Sequence, residues 1–162
     1  KVLQKLLVTR GLNIQPQLSV IYTNVYAQTG IESADLVLSV CKEIKPDLVI
    51  FIDSLATTSL TRLCSSFQVT NEGIQAGSGL NKNNKKITNK SLGCDVISIG
   101  VPMMIYAKNF LDEKLNVNLD DIILSPCDTK KILNLVSDII ATAINLSVFP
   151  QYTRQEIEIM KN

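Results

Sequence analysis

The sequence predicts an α/β fold, a layered sandwich in which a central, mostly parallel sheet is flanked by helices. Two apolar runs without alternation, at residues 48–52 and 96–101, are typical of strands that are covered on both faces. A shorter run at residues 19–22 predicts a further strand. Amphipathic segments separate these runs. Because 162 residues suffice for one domain with its own core, residues 1–162 are predicted to form a single domain.

Two amphipathic segments predict the helices. Between residues 31 and 44 the apolar side chains recur at the spacing of one buried helix face, and Pro46 stops this helix. Ser125 is predicted to cap a second helix, which has Pro126 at its first position and runs to about Leu146. The apolar residues of this second helix make a broad stripe that could cover one face of the sheet.

The composition excludes several classes of function. Sixteen basic and fifteen acidic residues leave a net charge of +1, so no overall field attracts DNA, RNA or anionic lipid, and no nucleic-acid partner is predicted. The chain has no histidine, which removes Ser-His-Asp catalysis, Cys-His catalysis and every His-ligated metal site. Any chemistry must use carboxylates, amines, hydroxyls or thiols, and neither a metal nor another cofactor is predicted.

The cysteines and the apolar runs indicate a cellular compartment. The four cysteines include no close pair and lack the spacing of zinc ligands: Cys41, Cys64, Cys94 and Cys127. Reduced thiols in apolar surroundings predict a reducing, cytoplasmic location. No apolar run approaches the roughly 20 residues of a membrane span, and residues 1–5 do not begin a signal peptide, so no membrane association is predicted.

Asp53 is the first candidate for a site residue. It directly follows the apolar run at residues 48–52, which predicts a carboxylate at the carboxyl end of a central strand. In open α/β sheets, ligands bind at that edge. Aspartate is also a favoured N-cap, and residues 54–63 suggest a short helix that Asp53 would cap. The residues themselves leave both interpretations open.

Residues 69–92 differ from the rest of the chain because they are rich in glycine, asparagine and lysine. They predict a long loop, and a loop of this length inside a compact domain is usually functional or mobile. Within it, residues 77–79 (Gly-Ser-Gly) could form a backbone nest for an anion or an extended peptide. Their spacing is not that of a Walker loop, so no nucleotide site is predicted.

Residues 45–56, with the sequence Lys-Pro-Asp-Leu-Val-Ile-Phe-Ile-Asp-Ser-Leu-Ala, resemble a core signature of the bacterial spore germination protease family. Further segments resemble that family in the same order along the chain: residues 8–10, 29–34, 59–62, 77–79, 99–102 and 143–146. Each segment is a weak signal alone. Collinear agreement from near residue 1 to about residue 150 identifies the chain as a divergent member.

The resemblance implies an endopeptidase that degrades small acid-soluble spore proteins during germination, in the cytoplasm of the spore core. It also implies a fold related to hydrogenase maturation proteases and a homo-oligomer, which is a tetramer in the family. The family's proposed mechanism uses two carboxylates, one to activate a water and one, held protonated, to assist at the scissile carbonyl. Asp53 matches the first of these aspartates.

The chain departs from the family at the second aspartate, because that position, four residues after Pro102, holds Tyr106. A phenol, whose unperturbed pKa is about 10, cannot serve as a general base at neutral pH, although it can donate a hydrogen bond. Asn71 stands where the family tends to have aspartate, and Gln75 where it tends to have histidine. The residues predicted to line the substrate groove are Tyr106, Asn71, Gln75, Gly77, Ser78, Gly79 and Arg62.

Two alternatives accompany this reading. One is a catalytically inactive relative that keeps the fold for binding or assembly. The other is a nickel-dependent hydrogenase maturation protease, which needs metal ligands that a histidine-free chain supplies poorly. The family's first strand precedes the segment that matches Lys1, so that strand is expected to be missing. Asp95, at the start of the second apolar strand, is expected at the wrong end to replace the second aspartate.

Overall fold

The computed structural model describes residues 19–23, 31–75, 86–109, 122–149 and 152–161. The elements in chain order are α1 (Ser33–Ile44), β1 (Leu48–Thr57), a 3-10 turn (Leu60–Arg62), β2 (Gln68–Thr70), β3 (Ile74–Gln75), β4 (Lys86–Ile87), α2 (Asn89–Leu92), β5 (Asp95–Tyr106), a second 3-10 turn (Ala107–Asn109), β6 (Ile123–Leu124), α3 (Thr129–Val148) and α4 (Arg154–Lys161). They fall into two compact units: Tyr22–Cys127 contains the strands, and the other unit includes Asp128–Asn162.

Strand β5 is the centre of a mixed four-stranded sheet. β1 pairs with β5 in parallel, from Leu48 opposite Asp95 to Thr57 opposite Ile105. β2 and β6 both pair with β5 in the antiparallel direction, and β3 and β4 form a separate ribbon. The predicted α/β class is therefore confirmed, but the described sheet is mixed rather than mostly parallel. The layered sandwich related to hydrogenase maturation proteases stays a prediction.

The second strand is longer than the apolar run at residues 96–101 that predicts it, because β5 continues past Pro102. Leu55 pairs with Pro102 and Ala56 pairs with Met104, so Met103 is the extra residue of a β-bulge. Proline lacks the N–H that a regular ladder needs, and a bulge is one of the few places where a strand accommodates it. The bulge therefore allows β5 to keep pairing with β1 on both sides of a proline, a residue that normally interrupts strand pairing.

Helix α1 confirms the helix predicted between residues 31 and 44. It ends where Lys45 adopts a left-handed conformation (φ 46°) and donates its N–H to the carbonyl of Cys41 at 2.9 Å. The buried face of α1 packs with residues of β1, β4 and α2 in one apolar cluster: Ala34, Val37, Cys41 and Ile87, with Val49, Phe51 and Leu92 partly buried against it. Full burial of a valine or isoleucine contributes roughly 1.5–3 kcal/mol, so this cluster holds α1 against one face of β1.

Helix α3 starts later than the sequence predicts. Pro126 was expected at the first helical position, but Cys127 and Asp128 form a turn, and Asp128 takes the N-cap position. The first bond of the helix runs from the N–H of Ile132 to the carbonyl of Asp128 at 3.1 Å. The helix then continues to Val148, two residues past the predicted end. Asp and Ser are comparable N-caps, so local sequence did not separate the two starts.

Helix α4 packs against α3 and begins with a capping box. The N–H of Glu156 donates to Oγ1 of Thr153 at 3.3 Å, and the Glu156 carboxylate accepts from the N–H of Thr153 at 2.8 Å. The Thr153 hydroxyl also donates to this carboxylate, at 2.9 Å, and the two bonds donated by Thr153, first that of its N–H, lower the pKa of Glu156. The hydroxyl of Thr142 in α3 donates to the carboxylate of Glu158 in α4 at 3.3 Å.

The apolar content of α3 bears on one expectation from the sequence. This helix has 20 residues, and its 18-residue window has a mean hydropathy of 1.4, which meets the length and composition of a membrane span. The core helix of a soluble protein meets the same criteria, so a single helix of this kind is weak evidence for a membrane. The helix meets these criteria although Lys130, Lys131 and Asp138 interrupt its apolar residues, and the absence of membrane association stays a prediction.

Two further predictions of local structure fail. Residues 19–23 form no strand, and Val20 and Tyr22 are exposed, because no strand among the described residues pairs with them. Residues 69–92 are not one continuous loop, since the end of β2, the β3–β4 ribbon and α2 lie within them. Gly73 permits this arrangement: it has φ +89°, and a Cβ there would lie 2.1 Å from the carbonyl oxygen of Ile87.

Candidate functional site

Asp53 lies inside β1 rather than at its carboxyl end. The strand continues to Thr57, since the residues after Asp53 keep pairing with β5. The short helix predicted over residues 54–63 is replaced by strand and by the 3-10 turn at Leu60–Arg62. The interpretation of Asp53 as a helix N-cap is therefore wrong, and so is its predicted place at a strand end.

The Asp53 carboxylate is half-buried and held by a local hydrogen bond. Alternate residues of a strand share a face, so Asp53 is on the same face as Val49 and Phe51, which pack against the α1 cluster. Its Oδ1 atom accepts a hydrogen bond from the N–H of Ser54 at 2.8 Å. This bond restricts the orientation of the carboxylate relative to the strand.

A row of three paired residues crosses the sheet at Asp53. Asp53 lies opposite Gly100 in β5, and Gly100 lies opposite Gln68 in β2. Paired residues project to the same face, and neighbouring strands are about 4.8 Å apart. A Cβ on Gly100 would lie 2.3 Å from Cδ1 of Leu55, so the Leu55 side chain occupies the space over this glycine. Gln68 is exposed. Sequence reasoning missed it, because its place depends on the register of β2.

Tyr106 is far from Asp53 along the sheet. Thr57 is opposite Ile105, so Tyr106 lies one residue beyond the level of Thr57. Five residues at about 3.3 Å each separate the levels of Asp53 and Tyr106 by about 16 Å, too far for their side chains to share one water. The Nζ atom of Lys108 lies 5.8 Å from the centre of the Tyr106 ring. The structure therefore does not bring Asp53 and Tyr106 together.

The other predicted groove residues are spread over the unit. Arg62 is exposed in the 3-10 turn that follows β1. Asn71 is exposed just after β2, whose antiparallel course carries it away from the row of Asp53 and towards the amino end of β5. Gln75 is in β3, opposite Lys86. The remaining predicted residues lie outside the described residues: Gly77, Ser78 and Gly79.

A second group of polar residues lies at the amino ends of β1 and β5. The carbonyl of Asp47 accepts a hydrogen bond from the N–H of Asp95 at 3.3 Å. Asp95 is opposite Leu48, five residues before Asp53 in β1, so it lies at the wrong end to act with Asp53, as expected. In the parts of the chain that the structure describes, no group of three or more His, Cys, Asp or Glu residues has the arrangement of a metal site.

Comparisons with known proteins identify the family. Residues 2–122 match the germination protease family model. The chain is 34% identical to the germination protease of Clostridium perfringens strain SM101 over 86% of its own length. It is 29% identical to that of Clostridium tetani over 100% of its length, and 36% identical to that of Bacillus cytotoxicus over 71%.

The chain is shorter than these relatives. It covers 46% of the Clostridium perfringens protein, 64% of the Clostridium tetani protein and 34% of the Bacillus cytotoxicus protein. The family match covers most of the chain, including Asp53, the row around it and Tyr106. The resemblance seen in residues 45–56 is confirmed, and the chain belongs to the germination protease family.

Proposed function

We propose that the chain is an endopeptidase that degrades small acid-soluble spore proteins during germination, with Asp53 as its catalytic carboxylate. The family match over residues 2–122 is the observation that carries this proposal. In the same proposal the protein acts in the cytoplasm of the spore core and assembles as a homo-oligomer, as the resemblance implies. The three relatives above bear the name germination protease, which supports a proteolytic role in germination.

The proposed chemistry follows from the residues available. A carboxylate is the side chain in the Asp53 row that can accept a proton from water at neutral pH. The activated water attacks the scissile carbonyl, and Asp53, now protonated, gives that proton to the leaving amine. Tyr106 is about 16 Å away by strand register and cannot supply the second group to the same water. In this proposal Asp53 is therefore the general base, and Gln68 is a hydrogen-bonding group in its row.

Digestion of a small acid-soluble spore protein by the chain tests this proposal. Asp53→Asn removes the proton acceptor with little change of shape, so the cleavage rate should fall at least about 100-fold. Asp95→Asn is the matched control, because it makes the same change of charge about 16 Å away along the sheet, and it should cleave at the wild-type rate. Fragments are followed by mass spectrometry.

The outcomes separate the alternatives. Equal cleavage by wild type and Asp53→Asn would exclude Asp53 as the catalytic carboxylate. An intact substrate with every variant, while circular dichroism shows a folded chain, would favour the inactive relative that keeps the fold for binding or assembly. Loss of cleavage with Asp95→Asn alone would indicate that the catalytic carboxylate lies at the amino ends of β1 and β5.

A further inference from the structure

Two cysteines lie in segments near the amino ends of β1 and β5. Cys41 lies in the last turn of α1, and its carbonyl accepts the N–H of Lys45 at 2.9 Å. Two residues further on, the carbonyl of Asp47 accepts the N–H of Asp95, and Cys94 directly precedes Asp95. Backbone hydrogen bonds therefore tie the segments of both cysteines to the same short connection between α1 and β1.

Packing brings the segments that carry the two cysteines together. Cys41 belongs to the apolar cluster against which Leu92 packs, and Cys94 is two residues after Leu92. Gly93, with φ +75°, turns the chain between them. Burial raises the pKa of the Cys41 thiol, and the negative charge of a Cys94 thiolate raises it further.

The two thiols differ in their access to solvent. Cys41 is only 6% exposed. Cys94 is half-buried and lines an open concave surface of about 480 Å³, together with Pro46, Asp47, Asn89, Lys90, Gly93 and Asp95. A small reagent can therefore reach Cys94 directly, whereas Cys41 is shielded by the cluster.

We propose that Cys94 is a thiol-modification site for small cationic disulfides and that Cys41 is its resolving partner. The Cys94 thiolate attacks one sulfur of the reagent, the reagent's S–S bond breaks, and one small thiol leaves and takes up a proton. The Cys41 thiolate then attacks Sγ of Cys94, the mixed disulfide breaks, and a second small thiol leaves. Two protein thiols are oxidised to one disulfide, and one small disulfide is reduced to two thiols.

The charges that line the concave surface select the reagent. Asp47 and Asp95 are negative there, and Lys90 is the positive residue among the lining side chains. The net negative charge attracts a cationic disulfide and repels an anionic one. Cystamine, which carries an amine at each end, should therefore modify Cys94 at least about fivefold faster than glutathione disulfide, which carries four carboxylates.

The test is a peptide map of the chain after exposure to excess cystamine. The reaction is run at about pH 9, near the usual thiol pKa, because both thiols ionise less readily than usual. We expect a cross-linked peptide pair containing Cys41 and Cys94, with the loss of two hydrogens from the intact mass, and a slower reaction with glutathione disulfide. Cys127 is exposed and serves as the internal control for reagent reactivity.

Variants and a denatured sample complete the test. Cys94→Ser should abolish the cross-link, Cys41→Ser should leave a stable mixed disulfide on Cys94, and Cys64→Ser should still form the cross-link. In concentrated urea, the preference for the Cys41–Cys94 pair should disappear. A stable mixed disulfide on Cys94 in the wild type would overturn the role of Cys41. Two results would contradict the proposal that Cys94 is a modification site for cationic disulfides. One is unmodified Cys94 in a sample in which Cys127 is fully modified, and the other is an equal rate of Cys94 modification by cystamine and by glutathione disulfide.

Discussion

The amino ends of β1 and β5 and the row around Asp53 are built in different ways. At the amino ends, main-chain contacts define the structure: the N–H of Asp95 bonds to Asp47, Gly73 lies against the backbone at Ile87, and Thr88 caps α2. At the row of Asp53, a side chain defines the local structure, because Leu55 occupies the space over Gly100. Backbone contacts therefore set the local structure at the amino ends, whereas side-chain packing sets it at the row of Asp53.

Gly73→Ala should have the largest effect on stability. The new Cβ would lie 2.1 Å from the carbonyl oxygen of Ile87 and 2.8 Å from Cα of Thr88, and φ is +89°. Backbone atoms cannot move aside as a side chain can, so we expect a loss of about 3 kcal/mol in the free energy of unfolding. The measurement is the midpoint of urea denaturation at unchanged slope.

Gly93→Ala is the matched control for this substitution. Gly93 also has a positive φ, +75°, but nothing lies within 4 Å of a Cβ built there. Only the conformational term remains, so the loss should be about 1 kcal/mol. If Gly73→Ala and Gly93→Ala cost the same, close backbone packing at the amino ends would be refuted.

Gly100→Ala should have an intermediate effect that a second substitution relieves. The new Cβ would meet Cδ1 and Cγ of Leu55 at 2.3 and 2.8 Å, and these atoms can move. We expect a loss of about 2 kcal/mol from overpacking. In the Gly100→Ala/Leu55→Ala double variant the two losses should not add, and the coupling should be about 1 kcal/mol.

A double-mutant cycle by urea denaturation measures this coupling. Gly100→Ala combined with Glu43→Ala, an exposed substitution near the end of α1, is the control pair and should be additive. Additive losses for Gly100→Ala and Leu55→Ala would mean that the Leu55 side chain does not define the row of Asp53. The proposed difference between the two regions would then be wrong for the row of Asp53.

The smallest effect is expected on the reactivity of Cys94. Burial raises the pKa of this thiol, and the negative charges of Asp95 and Asp47 raise it further. Because the thiolate is the nucleophile, alkylation by iodoacetamide should accelerate as the pH rises past the usual thiol range. Asp95→Asn removes one of these charges, lowers the pKa of Cys94 and should raise the rate at pH about 8 roughly twofold to threefold.

Rates for Cys94 are read by peptide mapping at a series of pH values. Glu72→Gln, which neutralises an exposed carboxylate that does not line this surface, should leave the profile unchanged. An Asp95→Asn profile identical to that of the wild type would show that the carboxylates at the amino ends do not act on this thiol.

Local patterns were enough to predict α1 and the beginning of β1. The apolar spacing before Ile44 and the stop at Pro46 are local signals, and helices depend mainly on neighbours three or four residues apart. The end of β1 was not predictable in the same way. Residues after Asp53 remain strand because β5 pairs with them, and β5 passes Pro102 only through its bulge.

The candidate site was predictable one residue at a time but not as an arrangement. Asp53 was found from the apolar run before it and from the family resemblance. Its neighbours could not be found in this way. Gly100 and Gln68 lie in the same row only because of the strand register, and a shift of one residue would change every pair. The same register places Tyr106 about 16 Å away, although sequence comparison had linked it to Asp53.

The α/β class, the family and the choice of Asp53 as the candidate carboxylate could be predicted from the sequence, because they depend on local periodicity and on motifs in a fixed order. That the sheet is mixed, that Asp53 lies within a strand, and that the segments of Cys41 and Cys94 lie near the same end of the sheet became clear only from the pairings in the folded chain. These properties depend on pairings between residues distant in the chain, for which local propensity carries no information.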